Sequence, residues 1–195
     1  MKCYEHPVAD YEFSTGYVQA VVNALKRSPR AQQIYGRLSF DARQLYDNPW
    51  SSPWQPAMPF EEIGDIATQE LGENVFDQVT HATMQERMGP ILLPMLKTTL
   101  AAKSPAGVLK KLNDLVKVAI KGVEIAYQAE GTHAGVVTVV YPRPVKPHVV
   151  TSWLGVIRFV FDITTQGTVT QSQQVGDGAT LQFVVTWREA QPAKS

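Results

Sequence analysis

From Ser14 to Leu25 the apolar positions return every three or four residues. Tyr17, Val18, Val21, Val22 and Leu25 form one stripe, which predicts an amphipathic helix capped by Ser14 or Thr15. "PRAQQIYGRL" and "SFDARQLYDN" predict one or two shorter helices with Ile34, Leu38, Leu45 and Tyr46 inward. "NPWSSPWQPAMP" breaks the period with four prolines and two tryptophans in twelve residues. Proline lacks the backbone donor that a ladder needs, so an extended connector is expected, its tryptophans plugged onto the core for the area they bury. "PFEEIGDIATQELG" reads as a helix with Pro59 and acids in its first turn, Gly72 past its end, and Phe60, Ile63, Ala67 and Leu71 buried. The following helix, roughly 73 to 88, places Val75, Phe76, Val79 and Ala82 on one side and His81, Met84 and Met88 on the other. "GPILLPMLKTTLAAK" continues helically, with Pro90 at a boundary and Pro94 as a kink or first-turn residue. "SPAGVLKKLNDLVKVAIKG" restarts behind Ser104, with Val108, Leu112, Leu115, Val116 and Ala119 inward and Gly122 as its stop.

At Gly122 the period changes to 2. "VEIAYQAEGTHAGVVTVVYP" predicts a β-hairpin turning near Gly131 to Gly135, and "GTVTQSQQVGDGATLQFVVTWR" a second one turning at "GDG". Leu181, Phe183, Val185 and Trp187 share one face of the last strand. Between the hairpins lies "YPRPVKPHVVTSWLGVIRFVFDI", where three prolines in seven residues end a strand before a helix over 149 to 163. Val149, Trp153, Val156 and Val160 make its stripe, expected to cover the sheet. Gly155 lies off that stripe and leaves room for another helix or a ligand. The predicted class is α+β: N-terminal helices, then a β-β-α-β-β unit forming a four-stranded antiparallel sheet covered by helices. One domain over 1–195 is expected, with an ordered core about 13–188 and flexible ends at 1–12 and 189–195.

Composition narrows the function classes. Lys plus Arg equals Asp plus Glu at 18 each, so no net field draws a phosphate backbone and nucleic acid is not expected as partner. The lysines of "KKLNDLVKVAIK" read as the wet face of a helix. No apolar run reaches the ~20 residues of a membrane span, and "MKCYEHPVADYEF" lacks the features of a signal peptide. With Cys3 as sole cysteine, a reducing, cytoplasmic setting is expected.

No motif names a reaction. His6, His81, His133 and His148 show no metal-ligand spacing, although His81, beside two methionines, is the best placed of them to hold a haem iron. There is no nucleophile elbow, and Glu61 and Glu62 point about 100° apart on a helix, so a helix-dipole role explains them better than paired catalysis. Arg143, Lys146 and His148 form a small cationic cluster, read as exposed loop charges or an anion contact. Tyr127, Trp153, Phe183 and Trp187 fall on elements that should meet between helix and sheet; they are the candidate ligand-binding residues, and equally the contents of an ordinary core. Neither catalytic nor metal-binding residues are assigned.

The order of elements, together with "WQP" at Trp54–Pro56, "ELG" at Glu70–Gly72, "SP" at Ser104–Pro105, Gly155 and "GDGATLQFVVTW", resembles a family of myxobacterial paralogues. That family is described as haem-NO-binding-like and as distantly akin to four-vinyl-reductase-type small-molecule-binding domains. The resemblance runs from about Phe13 to Arg188 and implies a signalling or assembly module rather than an enzyme. Haem-nitric-oxide sensors carry a Tyr-x-Ser-x-Arg motif that holds the propionates, and this sequence departs from it. The expectation is therefore a sensory or adaptor domain without a cofactor, binding a small apolar ligand or a partner protein. The alternatives are a structural homodimer and a haem-based gas sensor.

Overall fold

The computed structural model describes residues 10–50, 52–90, 105–164 and 167–188. The expectations at Cys3, His6, Pro94 and Ser104 lie outside them. Helix α1 (Thr15–Lys26) starts where Ser14 accepts a hydrogen bond from the Tyr17 N–H at 3.4 Å. It is followed by α2 (Ala31–Arg37) and α3 (Phe40–Asp47), the latter capped by Ser39. Their predicted inward residues Ile34, Leu38, Leu45 and Tyr46 are all buried.

The proline-rich connector is ordered differently from the expectation. Trp54–Pro56 form a strand, β2, and Glu12–Ser14 form β1, which pairs Phe13 with Gln55. A third strand, β3 (Ile120–Lys121), pairs with the other side of β1, giving a small sheet in the order β2-β1-β3. Proline is tolerated because β2 is an edge. Buried Gln55 staples the connector, donating to the carbonyls of Pro49 at 2.8 Å and Ser52 at 2.9 Å. The tryptophans do not plug the core: Trp50 is 65% exposed, and half-buried Trp54 lies under the Lys121 ammonium, 3.9 Å from its ring centre. Tyr11, placed by the sequence in a flexible end, is fully buried.

Helix α4 (Ala57–Leu71) begins two residues earlier than its proline suggested. Pro59 is accommodated because the first turn of a helix has no carbonyl to bond. Glu61 and Glu62 consequently sit beyond the first turn, and the helix-dipole explanation for them does not hold. Gly72, at φ 86°, turns the chain into α5 (Glu73–Thr83), which continues as one π-helical turn over Met84–Met88. The buried side of α5 is Phe76, Asp77, Thr80 and Thr83 rather than the apolar stripe expected, and Val75 is 41% exposed. The single helix expected before Gly122 is two short ones, α6 (Pro105–Lys110) and α7 (Leu112–Val116).

The second half follows the predicted order: β4 (Glu124–Ala129), β5 (Ala134–Val140), α8 (Pro147–Thr164), β6 (Gly167–Val175) and β7 (Thr180–Trp187). The sheet is antiparallel in the order β4-β5-β7-β6. Leu181, Phe183 and Val185 are fully buried on one face, and Trp187 nearly so. The fold is α+β, with α8 between the sheet and the N-terminal helices. Among the described residues no helix is long and apolar enough to cross a membrane.

Gly155 resolves the alternative left open for it. A Cβ there would stand 3.1 Å from the His81 backbone nitrogen and 3.2 Å from the Asp77 carbonyl oxygen. The missing side chain admits helix α5, not a ligand. Arg158 and Asp162, on the same side of α8, then pair with Asp77 and His81 of α5.

Candidate functional site

A cavity of about 40 Å³ lies between α8 and the helical half. β1 and α1 contribute Phe13, Tyr17 and Val21; α4 and α5 contribute Phe60, Glu61, Gly64, Phe76 and Thr80. α8 and the residues before it close the wall with Tyr141, His148, Val149, Ser152, Trp153 and Val156. Val149, Trp153 and Val156, expected to cover the sheet, thus face the opposite way. The aromatic rings meet edge to face, Phe13 with Phe60 at 4.7 Å between centres and Tyr11 with Tyr141 at 4.9 Å. At this volume the cavity holds a few water-sized molecules or a diatomic gas.

A polar network backs the apolar wall. The Glu61 carboxylate is buried, accepts a hydrogen bond from the Tyr11 hydroxyl, and contacts the Arg143 guanidinium at 2.9 Å. Arg143 also pairs with Asp10 at 3.0 Å and lies over the Tyr11 ring. The Trp153 indole N–H donates to the Tyr141 hydroxyl oxygen at 2.6 Å. Burial, reinforced by the neighbouring acidic groups, pushes the Tyr11 and Tyr141 hydroxyls well above the usual phenol range. Both therefore stay protonated near pH 7.

His148 is nearly buried at the cavity edge. Its Nδ1 has no hydrogen-bond partner, and the nearest carboxylate oxygen, of Asp65, is 3.9 Å away. Gly64 makes the space for the ring: a Cβ there would stand 2.8 Å from the imidazole Nε2. Burial lowers the His148 pKa to about 4, so the ring is neutral near pH 7. Burial raises the Asp65 carboxyl, but Lys146, donating at 2.8 Å, outweighs it and holds the group low. The cationic cluster of the sequence is thus not loop charge awaiting an anion. Arg143 and Lys146 already have their carboxylates, and His148 points inward.

Of the four candidate ligand residues, Trp153 alone is on the cavity wall. Phe183 and Trp187 are buried on the sheet, and Tyr127 packs over Gly135 with its hydroxyl buried and unpaired. His81 is tied to Asp162 at 2.6 Å, away from the cavity. Among the described residues no cluster of His, Cys, Asp and Glu could hold a metal ion on its own.

No family model and no curated protein matches the sequence. Solved structures do resemble its fold. The Fe(II) unliganded H-NOX protein from K. algicida aligns over 93% of this chain and 100% of its own, with TM-score 0.63 and 9% identity. An oxygen-binding H-NOX domain related to soluble guanylate cyclases, solved as its oxygen complex, aligns over 93% and 97%, with TM-score 0.53 and 10% identity. A variant of the H-NOX from T. tengcongensis aligns over 93% and 100% at TM-score 0.53 and 10% identity. At such identities the likeness establishes the fold, that of haem-NO-binding domains, and it agrees with that part of the resemblance seen in the sequence.

This corrects the expectation of no cofactor. Further structures of this fold were solved to study haem distortion in H-NOX proteins, so haem is the group the fold implies. The donor chemistry here suits it: one neutral imidazole on an aromatic-walled cavity, with a buried ring nitrogen unbonded. The space does not: pockets for drug-sized ligands run to roughly 300–1,000 Å³, and the cavity of about 40 Å³ is far smaller than a haem.

Proposed function

We infer that the chain is a sensory domain of the H-NOX type, reading a diatomic gas through haem bound between α8 and the N-terminal helices. The observation that carries this reading is His148, the imidazole placed on the cavity of a fold shared with haem-NO-binding domains. His148 would hold the iron; the haem, when bound, supplies reversible ligation of the gas. The chain's own residues exclude water with Phe13, Phe60 and Trp153, and hold the Glu61 carboxylate by the Tyr11 hydroxyl bond and the Arg143 ion pair. The role is signal reception in a signalling protein rather than catalysis, and the narrower kinship with the myxobacterial paralogues belongs to the same proposal.

The experiment is expression with added haem. The expected result is a Soret band that shifts under carbon monoxide, with tryptophan fluorescence quenched because Trp153 lines the cavity. His148→Gln should lose the band while keeping the far-ultraviolet dichroism of the parent. A Soret band that survives His148→Gln removes His148 as the ligand. Failure to take up haem at all overturns the gas-sensor reading.

A second reading, docking of a partner protein, is favoured by one observation. Phe40, Trp50 and Met58 are 73%, 65% and 66% exposed, and Phe40 borders a groove with Tyr35, Pro56 and Pro59.

A further inference from the structure

The two edges of the four-stranded sheet are treated differently. At β4 the Ile125 N–H is taken by the Asn113 side chain of α7 at 3.2 Å, and α6 and α7 pack along the strand. At β6 no described strand pairs with the outer edge, and α8 packs against only its Gly167 end, Phe161 lying on Gly167. Edges left open in this way are normally guarded by lysine, proline or inward-pointing charge. β6 has none of these. Residues 163 to 176 contain no charged side chain and no proline, and β6 reads "GTVTQSQQV" over nine residues. It carries one guard of another kind, a bulge between Val169 and Gln171, which leaves the stretch from Gln171 to Val175 regular.

We propose that β6 is a self-association edge, pairing antiparallel with β6 of a second copy to join the two sheets. Three properties select a second copy over an unrelated strand. A two-fold axis at Gln173, in the regular part of β6, sets the strand against itself, so any charge on it would meet its own kind; β6 has no charge to repel. Its side chains there are glutamines, whose amides both donate and accept, so glutamine opposite glutamine is satisfied on both sides. One such pair already stands within the sheet, Gln173 donating to Gln182 across the strands at 3.1 Å. Finally, Gln171 and Gln173 lie opposite Val184 and Gln182, on the face turned away from the core, and neither β6 nor β7 carries a charged residue, so the four strands nearest the join would present an uncharged surface. This inference does not depend on haem.

The test is sedimentation of the full chain across the micromolar range, with two variants carrying like charges: Gln171→Lys with Gln173→Lys, and Gln171→Glu with Gln173→Glu. The parent should dimerise. Each variant alone should dissociate with a constant raised on the order of a hundredfold, because identical charges then face across the axis. Mixing the two variants should restore a dimer, which only facing strands can do. A strictly monomeric parent overturns the proposal. So does a dimer indifferent to both variants, which would lie on another surface.

Discussion

The four-stranded sheet and the helical half bury their residues in different ways. Strands β5 and β7 place alternate apolar side chains inward, and Val137, Val139, Leu181, Phe183 and Val185 have no exposed surface. No buried polar or charged residue lies on β4 to β7 among the described residues. Thr15, Gln55, Glu61, Asp77, Thr80, Thr83, His148 and Thr151 all lie on β2 or on the helices. α8 separates the two regimes. Phe161 covers Gly167 so closely that a Cβ would come within 2.3 Å of the ring, whereas Val149, Trp153 and Val156 border open space. Evenly filled cores tolerate little, and a region with buried polar groups and a void is the one able to change its contents.

The largest expected effect tests the filled side. Phe183→Ala should cost about 4 kcal/mol in chemical denaturation, since an aromatic ring is removed from a fully buried position. A cost below about 2 kcal/mol would mean that the sheet side relaxes as easily as the cavity side.

Next comes His148. With its pKa depressed from 6.5 to about 4, the unfolded chain binds a proton between those values that the folded chain does not. Stability contributed by the neutral ring is therefore complete above pH 6.5 and declines as pH falls towards 4, by about 3 kcal/mol in all. Asp65, held low by Lys146, acts in the same direction but in a more acidic window. His148→Gln should flatten the upper slope; an unchanged slope would place the titration elsewhere.

The smallest effect is a difference of sign. Val156→Ile adds a methylene beside the cavity and should stabilise by about 0.8 kcal/mol. Val185→Ile adds the same group to the filled side and should destabilise by about 1 kcal/mol. Melting temperatures that move together would erase the contrast.

Much of the sheet was legible in the chain because its signal is local. Period-2 alternation and the glycines at 131, 176 and 178, all at positive φ, mark hairpins without help from distant residues. α8 was legible for the same reason, within two residues at either end. What its periodicity could not say is which neighbour meets which side. Val149, Trp153 and Val156 read equally well against a sheet or against helices. The cavity was less legible still, because Phe13, Phe60, Glu61 and His148 come from segments far apart in sequence and none carries a motif. Glu61 looked like a helix-start acid until the helix proved to begin at Ala57. The strand at Glu12–Ser14 was invisible at three residues, too short for any period to register.

That short strand has a consequence for how the chain is made. β1 pairs Phe13 with Gln55 on one side and with Ile120 on the other, and the Ser14 N–H donates to the carbonyl of Ala119 at 2.7 Å. As the polypeptide leaves the ribosome, the first helices can form at once. The aromatic cluster around Phe13 cannot be closed until residue 121 has emerged, because its last strand does not yet exist. Contacts of such sequence separation form late, since loop-closure entropy must be met first. The chamber beneath α8 thus waits first for this clasp and then for α8 itself, and for much of synthesis its interior is open to whatever small molecule is to be enclosed.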